Sequence, residues 1–485
     1  MRMRTLGHLC SEARIGTVTD KSNSDVAPID TVPSDVIVSQ ISHDSRDVSP
    51  GAVFCAVRGA RFDGHEHVGE ALRRGAVALV VDHRLAEIDP SVPQIVVGDV
   101  RTAMGRLATA FWGDPSRQMD VVGVTGTNGK TTTTHLLAAI LTAAGRPTDV
   151  IGTLSGGFTT PEAPELQSTL AEMRERGTRA VAMEVSSHSL VMERVTGTRF
   201  AAAVFTNLSR DHLDLHGNME EYFAAKARLF DPSFTDIAVV NADDTYGRRL
   251  LDAPRVRTIP FSKTDLDDIQ VTTIEHRFVW RGRSVRCPLG GAVNVMNSLA
   301  AATVADALGV DGSTIAEALA EVVPVPGRME RIDEGQDFTV LVDYAHTPDG
   351  LSAVLRSLRE SSLEGKILVV FGCGGARDKA KRPMMGEAAA GLADEVIVTS
   401  DNPRSEDPQA IIASIVAGVP DHLRHRLVGV ITDRRAAIES AIDRARPGDV
   451  VLIAGKGHET TQTTGTNIID FDDREIAREL LGVRA

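Results

Sequence analysis

The chain has 485 residues, and its 52 Lys+Arg against 66 Asp+Glu give a net charge of −14. At roughly 150 residues per domain, that length predicts about three domains. The acidic balance and an aromatic content of 4% disfavour an extended nucleic-acid surface, which needs clustered cations and stacking platforms.

A hydrophobic content of 42% exceeds what a disordered chain carries. The longest apolar runs reach only about half of the ~20 residues that span a bilayer, so no membrane span is expected. Residues Met1 to Gly16 contain no unbroken apolar stretch ahead of a small-residue cleavage site, so secretion is not expected either. Cys10, Cys55, Cys287 and Cys373 lie far apart with no CxxC pair, which fits reduced thiols in a cytoplasmic protein.

In chain order, short runs rich in Val, Ile and Ala end in Gly, Asp, Asn or Thr. They are VALVVD (77–82), VVGVTG (121–126), AVAMEV (180–185), AAVFTN (202–207), IAVVNAD (237–243), FTVLVDYAH (338–346), KILVVFGCGG (366–375), EVIVTSDNPR (395–404) and VVLIAGKGHE (450–459). Runs of this length without polar alternation predict strands buried on both faces, hence parallel sheets covered by helices. Helical patterns such as PELQSTLAEMRERG (164–177) and DRRAAIESAIDRA (433–445) lie between them, and the class is α/β. The polar FWGDPSRQMD (111–120) and the Pro/Gly-interrupted PVPGRMERID (324–333) set boundaries at about 1–114, 115–327 and 328–485. No internal repeat is evident.

The strongest local signal is VVGVTGTNGKTTTTHLLAAILTAAG (121–145). A buried strand enters Gly126-Thr127-Asn128-Gly129-Lys130-Thr131, and Leu136, Leu137, Ile140 and Leu141 then fall on one helical face. This is the order a nucleotide phosphate needs. Glycines let backbone N–H groups wrap the phosphates, the helix N-terminus adds positive potential, Lys130 bridges the outer phosphates and Thr131 can ligate Mg²⁺. The strict pattern departs at one place, Val124, with glycines at 123 and 126 instead.

Glu184 closes a predicted strand and is a candidate Mg²⁺ ligand, because ligands of open α/β sheets collect at the carboxyl ends of strands. His212 stands with Asp211 and Asp214 beyond the next one, where a metal site or a phosphate-orienting cluster fits. In MEEYFAAKARLF (219–230), Tyr222, Phe223, Leu229 and Phe230 form an apolar stripe that Lys226 interrupts. Its ammonium is either disfavoured by desolvation or snorkels to water. In the last third, Arg377, Arg382, Arg404, Lys456, His458 and Glu459 lie on loops that follow strands. Forked guanidiniums suit carboxylates and Glu459 suits an ammonium, so a zwitterionic amino acid fits both.

GTNGKT, EVSSHSL, FTNLSRDHLDLHG, the YxxxKxxLF helix, NVMNSLAA, VPGRMER, VDYAHTP, GGxRDxxKRP, DNPR and GKGHE occur in this order, and the chain resembles the Mur ligases through them. The resemblance covers all three proposed domains, including HDSRDVSPGAVFCAVRGARFDGH (43–65) near the start. It implies a three-domain architecture: a uridine-nucleotide-substrate domain, a central P-loop domain on a parallel sheet that binds ATP, and a Rossmann-like C-terminal domain that binds the amino acid.

The resemblance also implies an ATP-dependent amide ligase of peptidoglycan precursor synthesis. Such an enzyme adds meso-diaminopimelate to UDP-N-acetylmuramoyl-L-alanyl-D-glutamate through an acyl phosphate, with ATP and Mg²⁺, and is expected to be a monomer. By the same resemblance, Gly126, Thr127, Asn128, Gly129, Lys130, Thr131, Thr132, Asn294, Arg331 and Asp343 would bind ATP. Thr131, Glu184 and His212 would hold magnesium, and Lys226 would carry a carbamate as N6-carboxylysine. Ser45, Arg46, His65, Thr159, Thr160, Ser187 and Arg194 would hold the UDP-sugar dipeptide. Arg382, Asp401, Asn402, Pro403, Arg404, Gly455 and Glu459 would hold the amino acid.

Two departures bear on the acceptor, which in lysine-adding relatives differs at the Asn-Pro-Arg signature. Ala376 stands where relatives carry Asp, removing a polar contact, and GTLSGGFTTP (152–161) is short against relatives. Two other readings compete. A folate polyglutamate ligase shares the P-loop and the lysine helix but is disfavoured by DNPR and the N-terminal DSR segment. An ATP-dependent switch module would need no acceptor arginines.

Overall fold

The apolar runs form strands, and the polar turns that end them become the loops of the site. The computed structural model describes residues 3–15, 35–59, 62–361 and 365–482. Met1, Arg2 and Gly16 of the segment read for a leader, and Ala60 and Arg61 of the 43–65 stretch, lie outside the described residues. The chain divides into two compact units, residues 1–123, 146–203 and 228–237 in one and 124–145, 204–227 and 238–485 in the other.

Strands β1 (Gln40–Ser42), β2 (Ala52–Cys55), β3 (Ala76–Val81) and β4 (Gln94–Val96) pair in that order, all parallel. Helix α1 (Val100–Trp112) follows, capped by the Asp99 side chain, which accepts from Arg101 and Thr102 N–H. Leu107 of α1 is buried in one cluster with Val53 and Val80.

Next come β5 (Asp120–Thr125), α2 (Lys130–Ala143), β6 (Thr148–Ile151), α3 (Ala163–Glu175), β7 (Ala180–Glu184), β8 (Ala202–Phe205), α4 (Met219–Ala227), β9 (Ile237–Asn241) and β10 (Arg257–Phe261). Their strands form a sheet of order β10-β9-β8-β5-β7-β6. The sequence reading missed an antiparallel three-stranded sheet of β11 (Leu266–Val271), β12 (His276–Trp280) and β13 (Arg283–Cys287), which precedes α5 (Ala292–Ala307).

The final elements are β14 (Glu330–Ile332), β15 (Thr339–Asp343), α6 (Pro348–Glu360), β16 (Ile367–Phe371), α7 (Lys381–Leu392), β17 (Glu395–Thr399), β18 (Leu427–Ile431), α8 (Arg434–Arg444), β19 (Val450–Ala454), the hairpin β20 (Thr461–Thr464) and β21 (Asn467–Asp470), and α9 (Asp473–Gly482). The sheet order is β14-β15-β19-β16-β17-β18, parallel except for the antiparallel edge strand β14. Its two faces are buried by separate clusters, Leu341, Val369 and Leu452 on one and Val340, Val370 and Ile453 on the other, as a sheet covered on both sides requires. Loops 344–347, 372–380, 400–407 and 455–460 thus leave the carboxyl ends of β15, β16, β17 and β19 on one edge.

Candidate active site

The loop Gly126–Gly129 joins β5 to α2, and Lys130 is the first residue of the helix. Gly126 and Gly129 have φ of +154° and +85°. A Cβ would collide with Thr206 Oγ1 at the first and Asn297 Oδ1 at the second, so both glycines are set by close approach as well as by conformation. The Thr206-Asn207 pair braces the loop. Thr127 N–H donates to Asn207 O (2.9 Å), Asn128 N–H to Asn207 Oδ1 (2.9 Å), and Thr206 Oγ1 to Asn128 O (2.6 Å). Lys130 Nζ folds onto the loop, donating to the carbonyls of Gly126 and Thr127 at 2.8 Å each. Thr132 is buried in the first turn of the helix.

Of the two arginines in VPGRMER, the structure brings Arg328 to the phosphate loop, not Arg331. Arg328 Nη2 donates to Thr131 Oγ1 (3.0 Å), and its guanidinium lies 4.3 Å from the Tyr344 ring centroid. Arg331 is exposed on the edge strand β14 and pairs with Asp333 at 2.9 Å. Asp343, at the end of β15, accepts from the N–H groups of Met329 (2.8 Å) and Ala345 (2.7 Å). Burial raises its pKa against the nearby Arg328 charge. Asn294 is buried and accepts from Asn297 Nδ2 at 2.9 Å, which makes Asn297, unread in the sequence, the neighbour of the loop.

Lys226 does not snorkel. Its side chain is 1% exposed, and Nζ donates to Gly126 O at 2.9 Å and sits 4.8 Å from the Tyr222 ring centroid. Tyr222 in turn meets Thr127 Oγ1 through its hydroxyl at 3.2 Å. Burial first, and the Lys130 charge second, hold the amine well below the usual lysine range. His212, at φ +53°, caps the short helix Leu213–His216 and stands 3.3 Å from Asp211. In this way Lys130, Lys226, Thr131, Asn294, Asp343 and Arg328 gather around one glycine loop.

Glu184 stands at the end of β7. Its carboxylate accepts from Thr153 N–H (2.9 Å) and its carbonyl from Thr160 Oγ1 (3.0 Å). Arg194 donates to Thr160 O (3.1 Å), pairs with Glu162 (2.8 Å) and lies over the Phe158 ring at 4.5 Å. Thr159 Oγ1 is 3.3 Å from Thr153 Oγ1, and Ser187 opens the short helix Ser187–Val191.

In the N-terminal sheet, Ser45 donates to Glu70 (2.7 Å), and the exposed Arg46 forks onto Asp44 at 2.9 and 2.7 Å. His65 is held through Nδ1 by Asp63 (2.6 Å) and has Nε2 3.2 Å from Asp82. The ligand atoms of His65, Asp82 and His83 lie within 4.8 Å of one another.

At the C-terminal sheet edge, Arg382 is buried on α7 and forks onto Glu406 at 3.1 and 3.0 Å. Glu406 also accepts from Ala376 N–H at 2.6 Å. Arg382 first and that N–H second pull the Glu406 carboxyl down to about 2. This carboxylate occupies the surroundings of the Ala376 departure, and sequence reasoning missed it although it lies in DNPRSEDP. Asn402 Nδ2 donates to Glu459 (2.7 Å), while Asn402 Oδ1 accepts from Thr463 N–H (2.9 Å). Arg404, at φ +53°, donates to Gly375 O at 3.0 Å, and Pro403 O accepts from Glu406 N–H at 3.1 Å.

Gly455 has φ +110°, and a Cβ there would stand 2.9 Å from Asp401 Oδ2. Burial, then the Asp401 charge, raises Glu459. Lys456 is fully buried, donating to Thr461 O at 2.6 Å and lying 3.5 Å from Glu459. Arg377 is exposed.

Three family models match: Mur ligase family, catalytic domain, over residues 37–112; Mur ligase middle domain over 124–305; and Mur ligase, glutamate ligase domain, over 327–457. The chain is 46% identical to the UDP-N-acetylmuramoyl-L-alanyl-D-glutamate--2,6-diaminopimelate ligase of Streptomyces avermitilis, with 93% of this chain and 94% of that one covered. A solved structure of a ligase bearing the same description superposes with a TM-score of 0.67 at 33% identity, covering 96% of this chain and 99% of the other. The MurF ligase of Thermotoga maritima in complex with ADP shares the fold at a TM-score of 0.62 and 23% identity, covering 87% and 94%. The chain belongs to the Mur ligase family. It is an ATP-dependent ligase with the α/β architecture of that family.

Proposed function

We propose that the protein joins meso-diaminopimelate to the D-glutamate carboxylate of UDP-N-acetylmuramoyl-L-alanyl-D-glutamate, with ATP as the energy source. The observation that carries this reading is the acceptor edge. Arg382, Asn402, Arg404 and Glu459 surround the strand ends of one sheet, offering guanidiniums to a carboxylate and a carboxylate to an ammonium. The diaminopimelate ligase relative at 46% identity over 93% of the chain supports the same acceptor.

Joining an amine to a carboxylate in water is uphill, so the carboxylate must gain a leaving group. The D-glutamate carboxylate attacks the γ-phosphorus of ATP, forming a C–O–P bond and releasing ADP. The diaminopimelate amine then attacks the acyl carbon, loses a proton and expels phosphate. Such transfer asks mainly for positioning and charge neutralisation. The loop N–H groups, Lys130 and Arg328 supply these at the triphosphate, with Asp343 toward the ribose. Arg328 replaces Arg331 in our assignment because it is the arginine bonded to Thr131.

By the family resemblance Thr131, Glu184 and His212 are assigned to Mg²⁺; the hydroxyl and the carboxylate are the oxygen donors a hard cation takes, and the ion when bound would offset phosphate charge. Burial and the Lys130 charge shift Lys226 toward its neutral amine, the form that is nucleophilic. Attack on CO₂ forms an N–C bond, a proton leaves to water, and an anionic N6-carboxylysine results. Ser45, Arg46, His65, Thr159, Thr160, Ser187 and Arg194 are assigned to the UDP-sugar dipeptide.

We further assign residues 1–114 to the uridine-nucleotide substrate, 115–327 to ATP and 328–485 to the amino acid, in a cytoplasmic monomer. Among the described residues, no helix is long and apolar enough to cross a membrane. The test offers the nucleotide dipeptide, ATP and equal diaminopimelate and lysine, and weighs the product by mass spectrometry. A diaminopimelate tripeptide with stoichiometric phosphate is expected. Phosphate release indifferent to the amino acid overturns ligation, and a lysine product overturns the acceptor.

A further inference from the structure

The loop that carries Asn402 and Arg404 leaves β17, and the loop that carries Glu459 leaves β19. These strands are not neighbours, because β16 lies between them; beyond the strand ends the loops are tied by Asn402 Nδ2 on Glu459 and by the Arg404 backbone on Thr463 and Gly465. At the strand ends themselves, a fully buried side chain from a third element bridges both. Arg434, the first residue of α8, donates through Nη1 to Ser400 O (3.2 Å) and through Nη2 to Ala454 O (2.9 Å). Those are the residues immediately before Asp401 and Gly455.

The guanidinium is locked by Asp473, the first residue of α9, with Nε on Oδ1 and Nη2 on Oδ2, both at 2.7 Å. Both side chains are fully buried. Burial works against the arginine's charge, and Asp473, Asp401 and Glu459 hold that charge in place. The cation therefore also sits behind two carboxylates of the acceptor edge. A fork with five donors can serve a carboxylate and two carbonyls at once, whereas a lysine ammonium is a point with three. Buried ion pairs often add no stability over a packed apolar pair, which leaves geometry as the reason for this one.

We propose that Arg434, clamped by Asp473, is a positioning residue that sets the separation of the two acceptor loops and so the recognition of the incoming amino acid. This rests on the reading of that edge as the acceptor site. The experiment compares the full-length wild type with Arg434→Met combined with Asp473→Leu, which leaves no lone buried charge, and with Arg434→Lys.

In both variants the KM for diaminopimelate should rise at least about tenfold, since a misplacement of about an ångström can cost 10²-fold. The KM for ATP should hold within about twofold. Hydrogen exchange should quicken together in 401–405 and 456–463. Unchanged acceptor KM, or faster exchange confined to 434–444 and 473–482, overturns the proposal. If the double variant does not fold, Arg434→Lys decides by the same two readouts. A wild type that makes no amide sinks the acceptor reading alone, and the exchange pattern still judges the clamp.

Discussion

The glycine loop proposed for phosphate and the C-terminal loops proposed for the acceptor both rise from strand ends, but the hydrogen bonds of their cations differ in emphasis. Around the phosphate loop, Lys130, Lys226 and Arg328 are bonded to carbonyls, a hydroxyl and an aromatic face. At the acceptor edge, Arg382 sits on Glu406, Lys456 near Glu459 and Arg434 on Asp473. Hydrogen bonds to neutral groups leave more of a cation's charge for a polyanion to take up, even with the Asp211 charge acting on Lys226 and Asp343 facing Arg328, whereas direct carboxylate partners bring a surface nearer to balance. Ligand charge is thus legible in who partners the arginines and lysines, more than in how many there are.

The strongest way to break this contrast is Lys226→Ala. It should lower kcat by roughly 10³-fold, the scale of removing a preorganised electrostatic contact, and short carboxylates should restore part of it; a continuous ADP assay reads both. Next, Arg382→Ala should raise the KM for diaminopimelate about 30-fold, because a charge-assisted fork is worth about 2 kcal/mol. The same assay should leave the KM for ATP unmoved, and a joint rise in both would erase the distinction between the ends.

A third test uses His458, whose ring is held near 4 by burial first and the Arg328 charge second. Its folded pKa lies below the ordinary value of about 6.5, so the unfolded chain binds the proton more readily. Stability from this group is full above about 6.5 and falls as pH drops toward 4. NMR titration should find the midpoint near 4, and ATP should raise it as phosphate offsets Arg328. The smallest effect belongs to Ala376, at φ +53°. Ala376→Gly should stabilise by about 1 kcal/mol by relieving the left-handed backbone, read in a urea melt with activity retained.

Much of the fold was legible because strands buried on both faces need unbroken Val, Ile and Leu, and such runs stand out. The β11–β13 sheet was not, because HRFVW and RSVRC alternate buried and exposed side chains and carry the charged residues that an apolar-run search discards. The β20–β21 hairpin was missed because its strands are short and largely exposed, TQTT and NIID, with no buried apolar run to signal them. In the candidate site, glycine spacing pointed to the tight loop Gly126–Gly129 and an interrupted apolar stripe pointed to the buried Lys226.

The choice between Arg328 and Arg331 was beyond the motif, since both sit in VPGRMER. β14 starts at Glu330, which puts Arg331 on the edge strand, while Arg328 lies in the preceding turn and bonds Thr131, the basis on which we propose Arg328 for the nucleotide. Glu406 escaped because a carboxylate next to arginines in sequence reads as a solvated face until the fold closes them together.

The hairpin has a further bearing on how this enzyme tolerates change. Thr463 takes Asn402 by its side chain and Arg404 by its N–H, Gln462 reaches Asp401 O at 2.7 Å, and Gly465 reaches Arg404 O at 2.6 Å. All of these grips lie past residue 457, where the glutamate ligase domain match ends. A chimera spliced at that border would inherit the DNPR loop without the ribbon that moulds it, and drift in an outwardly inconspicuous turn could retune amino acid choice while the phosphate chemistry stayed intact.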